Sequence, residues 1–270
     1  MRPTLDFIKD IAVNAGGILK NFSREDLNIA EKNPKDLVTQ ADFASERYLI
    51  DAIQAAFPEH AIFAEESGKS AGSKDHQWFI DPLDGTLNYA HGVPFYAVSI
   101  GYALKGRMQL AVVYDPERDE LYCAERGQGA TLNEMPIQVA QRTKLATCML
   151  VTGFPTETEN PMDDNMANFL RFNSNALTVR RLGSAALDAV YVAAGRLDGY
   201  WDAEISLWDI AAGGLIASEA DAAVTDVFGN PDYMGKQPSS IVCANPVIHQ
   251  QMLDLLAATR EARGAVTSKV

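Results

Sequence analysis

Residues 77–89 read QWFIDPLDGTLNY, and the fold turns on how this stretch is taken. Trp78, Phe79 and Ile80 form a short apolar run of strand character that ends at Asp81. Both aspartates then stand at the carboxyl end of a strand, where open α/β sheets place their ligands. Pro82 fixes the turn, so Asp81 and Asp84 can converge with the Leu83 carbonyl between them. Hard divalent cations such as Mg²⁺ take oxygen donors of this kind. Gly85 lets the backbone approach a ligand closely, and Thr86 offers a hydroxyl and N–H groups at a helix start, suited to a phosphate. The same letters also spell an ordinary β-turn with an N-capping aspartate, and alone that plainer use is the commoner one.

Three further acidic clusters change the odds. Ala64-Glu65-Glu66-Ser67 follows a short apolar strand, where a charged pair is ordinarily a solvated edge. Trp208-Asp209-Ile210-Ala211-Ala212 opens an alanine-rich stretch, where Asp209 also fits an N-cap. Asp36-Leu37-Val38-Thr39-Gln40-Ala41-Asp42 opens another helix, with Asp36 an equally plain cap. Taken together, the clusters fall at strand ends or helix starts, and all supply carboxylates. Competing chemistries find no support. His60, His76, His91 and His249 lack zinc-ligand spacing, and there is no GxSxG elbow. No GxxxxGK[ST] loop occurs, and Gly127-Gln128-Gly129 lacks the third glycine of a dinucleotide fingerprint. A carboxylate cage for Mg²⁺ acting on a phosphate is the reading that survives.

Composition agrees with it. The chain has 270 residues, 47% hydrophobic and 22% charged, which fits a soluble globular protein with a sizeable core. Its 23 Lys+Arg against 36 Asp+Glu argue against direct nucleic-acid binding, which needs a basic face. An acidic chain can still handle an anionic substrate if cations mediate. No segment has membrane-span character and no signal peptide is read. Cys123, Cys148 and Cys243 are scattered without CxxC spacing, so a reduced, cytoplasmic protein is expected.

Periodicity predicts helices over Leu5–Phe22, Asp36–Phe57, Met162–Asn173, Ser184–Gly195, Ile210–Asp221 and Pro246–Arg260. Strands are predicted at Ala61–Ala64, Gln77–Asp81, Ala97–Leu104, Gln109–Tyr114, Glu120–Ala124, Leu150–Gly153, Asp198–Trp201, Ala223–Asp226 and Ser240–Ala244. Lys105–Gly106 and Asp115–Asp119 read as turns. Layers of helix and mixed sheet follow. No linker divides the chain, so one catalytic domain over 1–270 is expected, changing character near Gln138–Leu145.

These residues resemble the inositol monophosphatase family. Asp81-Pro82-Leu83-Asp84-Gly85-Thr86-Leu87-Asn88-Tyr89 is similar to its first signature and Trp208-Asp209-Ile210-Ala211-Ala212-Gly213 to its second. The likeness extends to Asp115-Pro116, Arg126-Gly127-Gln128-Gly129-Ala130 and Gly183-Ser184-Ala185-Ala186, covering roughly residues 5–258. It implies an α+β, layered α-β-α-β-α sandwich of the sugar-phosphatase type. It implies two or three Mg²⁺ ions held by Glu65, Asp81, Asp84, Asp209 and the Leu83 carbonyl, with sensitivity to Li⁺. Thr86, bonded to Asp42, would help activate the attacking water, with Glu66 adjacent. Gly85 and Thr86 would hold phosphate oxygens, and Gly183, Ser184, Ala185 and Asp202 would line the substrate's ring pocket. Lys32 resembles a loop lysine near the site.

The implied activity is hydrolysis of a small phosphate monoester, myo-inositol 1-phosphate first among them. Fructose 1,6-bisphosphate, 3′(2′),5′-bisphosphate nucleotides, NADP and histidinol phosphate are the alternatives. A second phosphate would need basic groups, for which Arg180 and Arg181 are the nearest, though a solvated strand end is their plainer use. The resemblance also implies a homodimer, with Ala97–Leu104 or Phe169–Leu177 as its surface, and a possible regulatory role as a protein partner of the transcription machinery. Leu87 and Tyr89 depart from the commoner threonine and phenylalanine. Asp202 stands where many inositol-preferring members carry glutamate, which shortens its reach to a sugar hydroxyl.

Overall fold

The structure, a computed structural model, describes residues 1–22, 27–33, 36–154, 165–235 and 239–267, with residues 32, 33, 36 and 263–267 described by backbone alone. The side chains of Lys32 and Asp36 therefore lie outside the described residues, as does the start of the helix expected from Met162.

Helix α1 (Leu5–Asn21) begins where Thr4 Oγ1 accepts the Phe7 N–H at 3.2 Å. It buries the stripe Ile8, Ile11, Ala12, Ala15 and Leu19. A two-stranded hairpin follows, β1 (Ala30–Asn33) and β2 (Asp36–Val38). The expected helix over Asp36–Phe57 is corrected here: α2 is Gln40–Ala56, and its first three expected residues are a strand. The cause is a capping box. Thr39 is extended and its Oγ1 accepts the Ala41 N–H, while Asp42 accepts the Thr39 N–H, so the helix can start only after Thr39.

The large sheet has the order β10-β9-β8-β7-β6-β5-β3-β4. Its strands are β3 (His60–Ala64), β4 (Gly68–Lys69), β5 (Ser73–Asp84), β6 (Ala97–Leu104), β7 (Arg107–Asp115), β8 (Glu120–Glu125), β9 (Ala130–Leu132) and β10 (Met135–Pro136). All neighbours are antiparallel except β3 and β5, which run parallel with Ala64 opposite Ile80. Strand β5 runs past the expected Asp81 and through Pro82 to Asp84, with an irregular register against β6 between the two aspartates. The short helix α3 (Thr86–His91) follows at once. Lys105 and Gly106, both at positive φ, form the expected two-residue turn between β6 and β7.

The small sheet has the order β12-β11-β13-β15-β14, built from β11 (Met149–Thr152), β12 (Thr178–Arg180), β13 (Gly199–Ile205), β14 (Ala223–Thr225) and β15 (Ser239–Ala244). Helices α4 (Asn165–Asn175), α5 (Ala185–Ala193), α6 (Leu207–Glu219) and α7 (Pro246–Thr267) complete the chain.

Alternation along β5 sets the layers. Trp78 and Ile80 pack with α1 and α2, whereas Phe79 faces the apolar cluster containing α5 and α6. Helix α6 is buried along Ile210–Ala217 because it lies between the two sheets, joining Phe79 and Val113 on one side to Tyr200 and Ile241 on the other. The outer face of the small sheet is covered by α4 and α7, where Phe172 packs on Trp201 with ring centroids 4.1 Å apart. The result is the expected helix-sheet-helix-sheet-helix layering. Strand β6 is hydrogen-bonded on both sides and buried on both faces, so Ala97–Leu104 cannot be a subunit surface. Leu170 and Leu177, by contrast, are exposed. Among the described residues no helix is long and apolar enough to cross a membrane.

Candidate metal and phosphate site

The parallel pairing of β3 and β5 brings their carboxyl ends out side by side, so Glu65 and Asp81 emerge as neighbours. Asp84 ends β5 three residues later. Asp209 arrives from the first turn of α6, whose N-cap is Ser206, so the aspartate is the third helical residue, closing a capping box, rather than the N-cap itself. Asp81, Asp84 and Asp209 each bring a carboxylate oxygen within 4.8 Å of the others. Glu65 stands outside this trio, but its charge acts on both Asp81 and Asp209.

Burial is the main force on these acids. It pushes Asp81 well above the ordinary carboxylate range, with Glu65, Asp84 and Asp209 adding repulsion. Asp209 is raised by burial and by Asp84 and Glu65, partly offset by its bonds to Asp81 and the Ser206 N–H. Asp84 is raised to about 6 by burial, against three donors that favour its charged form. Those donors are Ser184 Oγ at 2.5 Å, the Ala186 N–H at 2.7 Å and the Ala185 N–H at 3.2 Å, at the start of α5. Among the described residues no lysine or arginine pairs with the trio. Clustered hard oxygen donors with no protein cation between them fit a divalent metal ion.

Beside the trio, Thr86 Oγ1 has two acceptors, Asp42 Oδ1 and the Leu83 carbonyl, each at 3.0 Å. Asp42 is fully buried, and its other oxygen accepts the Thr39 N–H and hydroxyl at 2.8 and 2.6 Å. Gly85, between Asp84 and Thr86, has φ 98°, and a Cβ there would meet the Phe95 and Gly183 carbonyl oxygens at 3.0 and 3.2 Å. Asn88 Nδ2 ties the two walls together, donating to Phe95 O at 2.9 Å and Leu182 O at 2.8 Å. Gly183 and Ala185 thus flank the acids, while Ser184 is buried beneath them as the α5 cap.

Asp202, on β13, is buried. Burial raises it to about 7, and the amides of Glu204, Ala203 and Gly153 and the charge of Arg181 favour its ionised form. Arg180 and Arg181 are both exposed, Arg181 lying over the Phe154 ring at 5.3 Å. Glu66 sits in the turn after β3, its N–H donating to Glu46 Oε2 at 2.8 Å. Four polar residues around the site escape a sequence reading: Glu46, Asn88, Asp188 and Tyr200. Asp188 lies one turn into α5, and its charge acts on the same region as Asp84 and Asp202. Asp188 Oδ1 and Tyr200 Oη are buried without a hydrogen-bond partner among the described residues. A lone acid inside the apolar run Ala185–Ala193 was the one available signal for Asp188.

Fold and site define a layered α+β protein with a largely buried carboxylate cage at the ends of β3 and β5. The chain belongs to the inositol monophosphatase family, whose sequence profile matches residues 1–265. It is 42% identical to the Nus factor SuhB of Pasteurella multocida over 257 residues, covering 94% of this chain and 96% of that one. The structure of the inositol monophosphatase from Anabaena (Nostoc) superposes with a TM-score of 0.84 at 40% identity, covering 94% and 95% of the two chains. The Thermotoga maritima IMPase gives a TM-score of 0.85 at 34% identity, with 96% and 98% covered.

Proposed function

We propose that this chain is a Mg²⁺-dependent phosphatase of small sugar or cyclitol phosphate monoesters, with myo-inositol 1-phosphate the leading substrate. The observation that carries the reading is the trio Asp81, Asp84 and Asp209 within 4.8 Å, next to the Thr86–Asp42 pair. Glu65, Asp81, Asp84, Asp209 and the Leu83 carbonyl would hold two or three ions. Bound Mg²⁺ supplies charge compensation for the phosphate, a lowered water pKa and stabilisation of the leaving oxygen.

The chain's own residues orient the reaction. The single proton of Thr86 Oγ1 points to Asp42 Oδ1 or to the Leu83 carbonyl. In the first arrangement the lone pairs of Oγ1 accept a hydrogen bond from the attacking water and aim it. Thr39 keeps Asp42 in place by engaging its other oxygen. Glu66, next to Glu65 in the turn after β3, would lie beside this water path. Gly85 and Thr86 offer backbone to the phosphate oxygens, and Gly183, Ser184, Ala185 and Asp202 form the alcohol side, with Ser184 acting from beneath through Asp84. Both halves of the chain serve one catalytic unit in the cytoplasm. The exposed Leu170 and Leu177 support a homodimer through the α4–β12 face, which light scattering tests.

A phosphate-release panel decides the substrate. Inositol phosphates, fructose 1,6-bisphosphate, bisphosphate nucleotides, NADP and histidinol phosphate are compared under a Mg²⁺ titration with Li⁺ as challenger. Release from none of them at saturating Mg²⁺ would overturn the phosphatase reading. A second reading, a regulatory protein partner of the transcription machinery, is favoured by relatives that bear the name Nus factor SuhB. Affinity capture with purified transcription proteins, repeated with Asp84→Asn, separates the roles: a binding role survives the substitution and the catalytic one does not.

A further inference from the structure

Helix α2 presents three buried polar residues to the site from one face, at positions i, i+3 and i+4. Asp42 and Glu46, four apart, lie one above the other, and Ser45 stands beside them. Each fixes a different part of the cage. Asp42 Oδ1 accepts from Thr86 at 3.0 Å. Ser45 Oγ donates to the Pro82 carbonyl at 3.0 Å, inside the Asp81–Asp84 segment. Glu46 Oε2 accepts the Glu66 N–H at 2.8 Å, in the turn that carries Glu65.

Glu46 is the unexpected member. It is 4% exposed, and among the described residues no lysine or arginine pairs with it. A glutamate in that position costs desolvation, so a solvated helix face does not explain it. Its bond to the backbone N–H is short, buried and directional. What it holds is the peptide between Glu65 and Glu66, which sets where the Glu65 side chain leaves the backbone.

We propose that Glu46 is a positioning residue for the cation cage: it clamps the Glu65–Glu66 peptide and so aims the Glu65 carboxylate toward Asp81 and Asp209. The inference rests on the reading of these acids as a divalent-cation site. Glu46 touches neither cation nor substrate. It acts through the turn, and α2 couples that turn rigidly to Thr86 and to the β5 end.

The test is calorimetric titration of the metal-free full-length protein with Mn²⁺ alone, without substrate. Loss of such an orienting partner typically weakens metal affinity by about 10–100-fold, and Glu46→Ala is expected in that range. Glu46→Gln keeps an oxygen acceptor for the Glu66 N–H and is expected to retain wild-type affinity. Glu65→Gln serves as the control on the site and is expected to lose affinity. Wild-type Mn²⁺ affinity in Glu46→Ala, alongside a weakened Glu65→Gln, overturns the positioning role and leaves the cation site standing. Unchanged affinity in Glu65→Gln overturns the cation-site reading and the proposal with it. A lowered melting temperature in EDTA with wild-type Mn²⁺ affinity would make Glu46 merely structural. Should Glu46→Ala fail to fold, Glu46→Asp, one methylene shorter, replaces it with the same expected loss.

Discussion

Ser184 Oγ donates to Asp84 Oδ2 at 2.5 Å across 100 residues of chain. The bond ties the end of β5 in the large sheet to the start of α5, in the layer between the sheets. Ser184 also accepts the Leu187 N–H as the cap of that helix. Ser184→Ala therefore removes a helix cap and a buried donor to a carboxylate, an expected loss of about 1–3 kcal/mol of stability. Urea unfolding with and without Mg²⁺ checks it, and the deficit should be present in both.

Thr86→Val keeps the shape of the side chain and removes the hydroxyl. If Thr86 aims the water, kcat should fall by about 100-fold or more while KM moves little. Asp42→Asn should lower kcat through the same bond, and the double variant should be no worse than the poorer single one. Steady-state phosphate release on all three variants gives the answer, additive losses counting against a shared water path.

The metal-free protein should respond to pH in the direction the acids dictate. Asp84 is raised to about 6 by burial, and Asp81 and Asp209 are also raised, so the folded state holds protons that the unfolded chain releases. Such groups contribute stability that is full below the unfolded carboxylate pKa and lost as pH rises through about 6 and beyond. In EDTA the melting temperature relative to the Mg²⁺-loaded protein should therefore drop between pH 5 and pH 8. Cation binding should release protons over the same range, measurable by calorimetry in buffers of different ionisation enthalpy. A gap that stays constant with pH would count against the raised acids.

His60 moves the other way. Its Nδ1 accepts from Trp78 Nε1 at 3.0 Å, and it stacks on His76 at 4.3 Å. Burial, then His76, lowers its pKa. Because the folded state resists its protonation, its contribution is present above the unfolded pKa and lost as pH falls through the lower folded value. His60→Leu leaves the buried Trp78 donor unpaired and should cost about 1–3 kcal/mol at neutral pH. It should also flatten the loss of stability between pH 7 and pH 5, which paired urea titrations measure.

What the sequence disclosed was local. Asp81, Asp84 and Asp209 were legible because an apolar run or an alanine-rich helix marks where each side chain must emerge. Thr39 was legible in principle, as the first letter of a Thr-x-x-Asp capping box, yet the helix was expected from Asp36 because the apolar pattern continues through Leu37 and Val38. Glu46 and Asn88 carry no local signal: their partners lie 20 and 94 residues away. The parallel pairing of β3 with β5 was equally hidden, since strand direction depends on the crossing of chain between them rather than on either strand's letters. Short strands such as β12 were too brief to show a period.

The burial of α6 between the sheets has a consequence for biosynthesis. The helix brings the third carboxylate of the cage, and its two apolar flanks are covered only when both sheets exist. On the ribosome, a chain that has emerged as far as α5 carries Asp81 and Asp84 but no Asp209, and β15, which completes one wall around α6, is made later still. The acids can therefore come together only once α6 has docked on the large sheet, which is built mostly from pairs of strands adjacent in sequence. A nascent chain is spared a half-built cation trap, and competence arrives with the final layer.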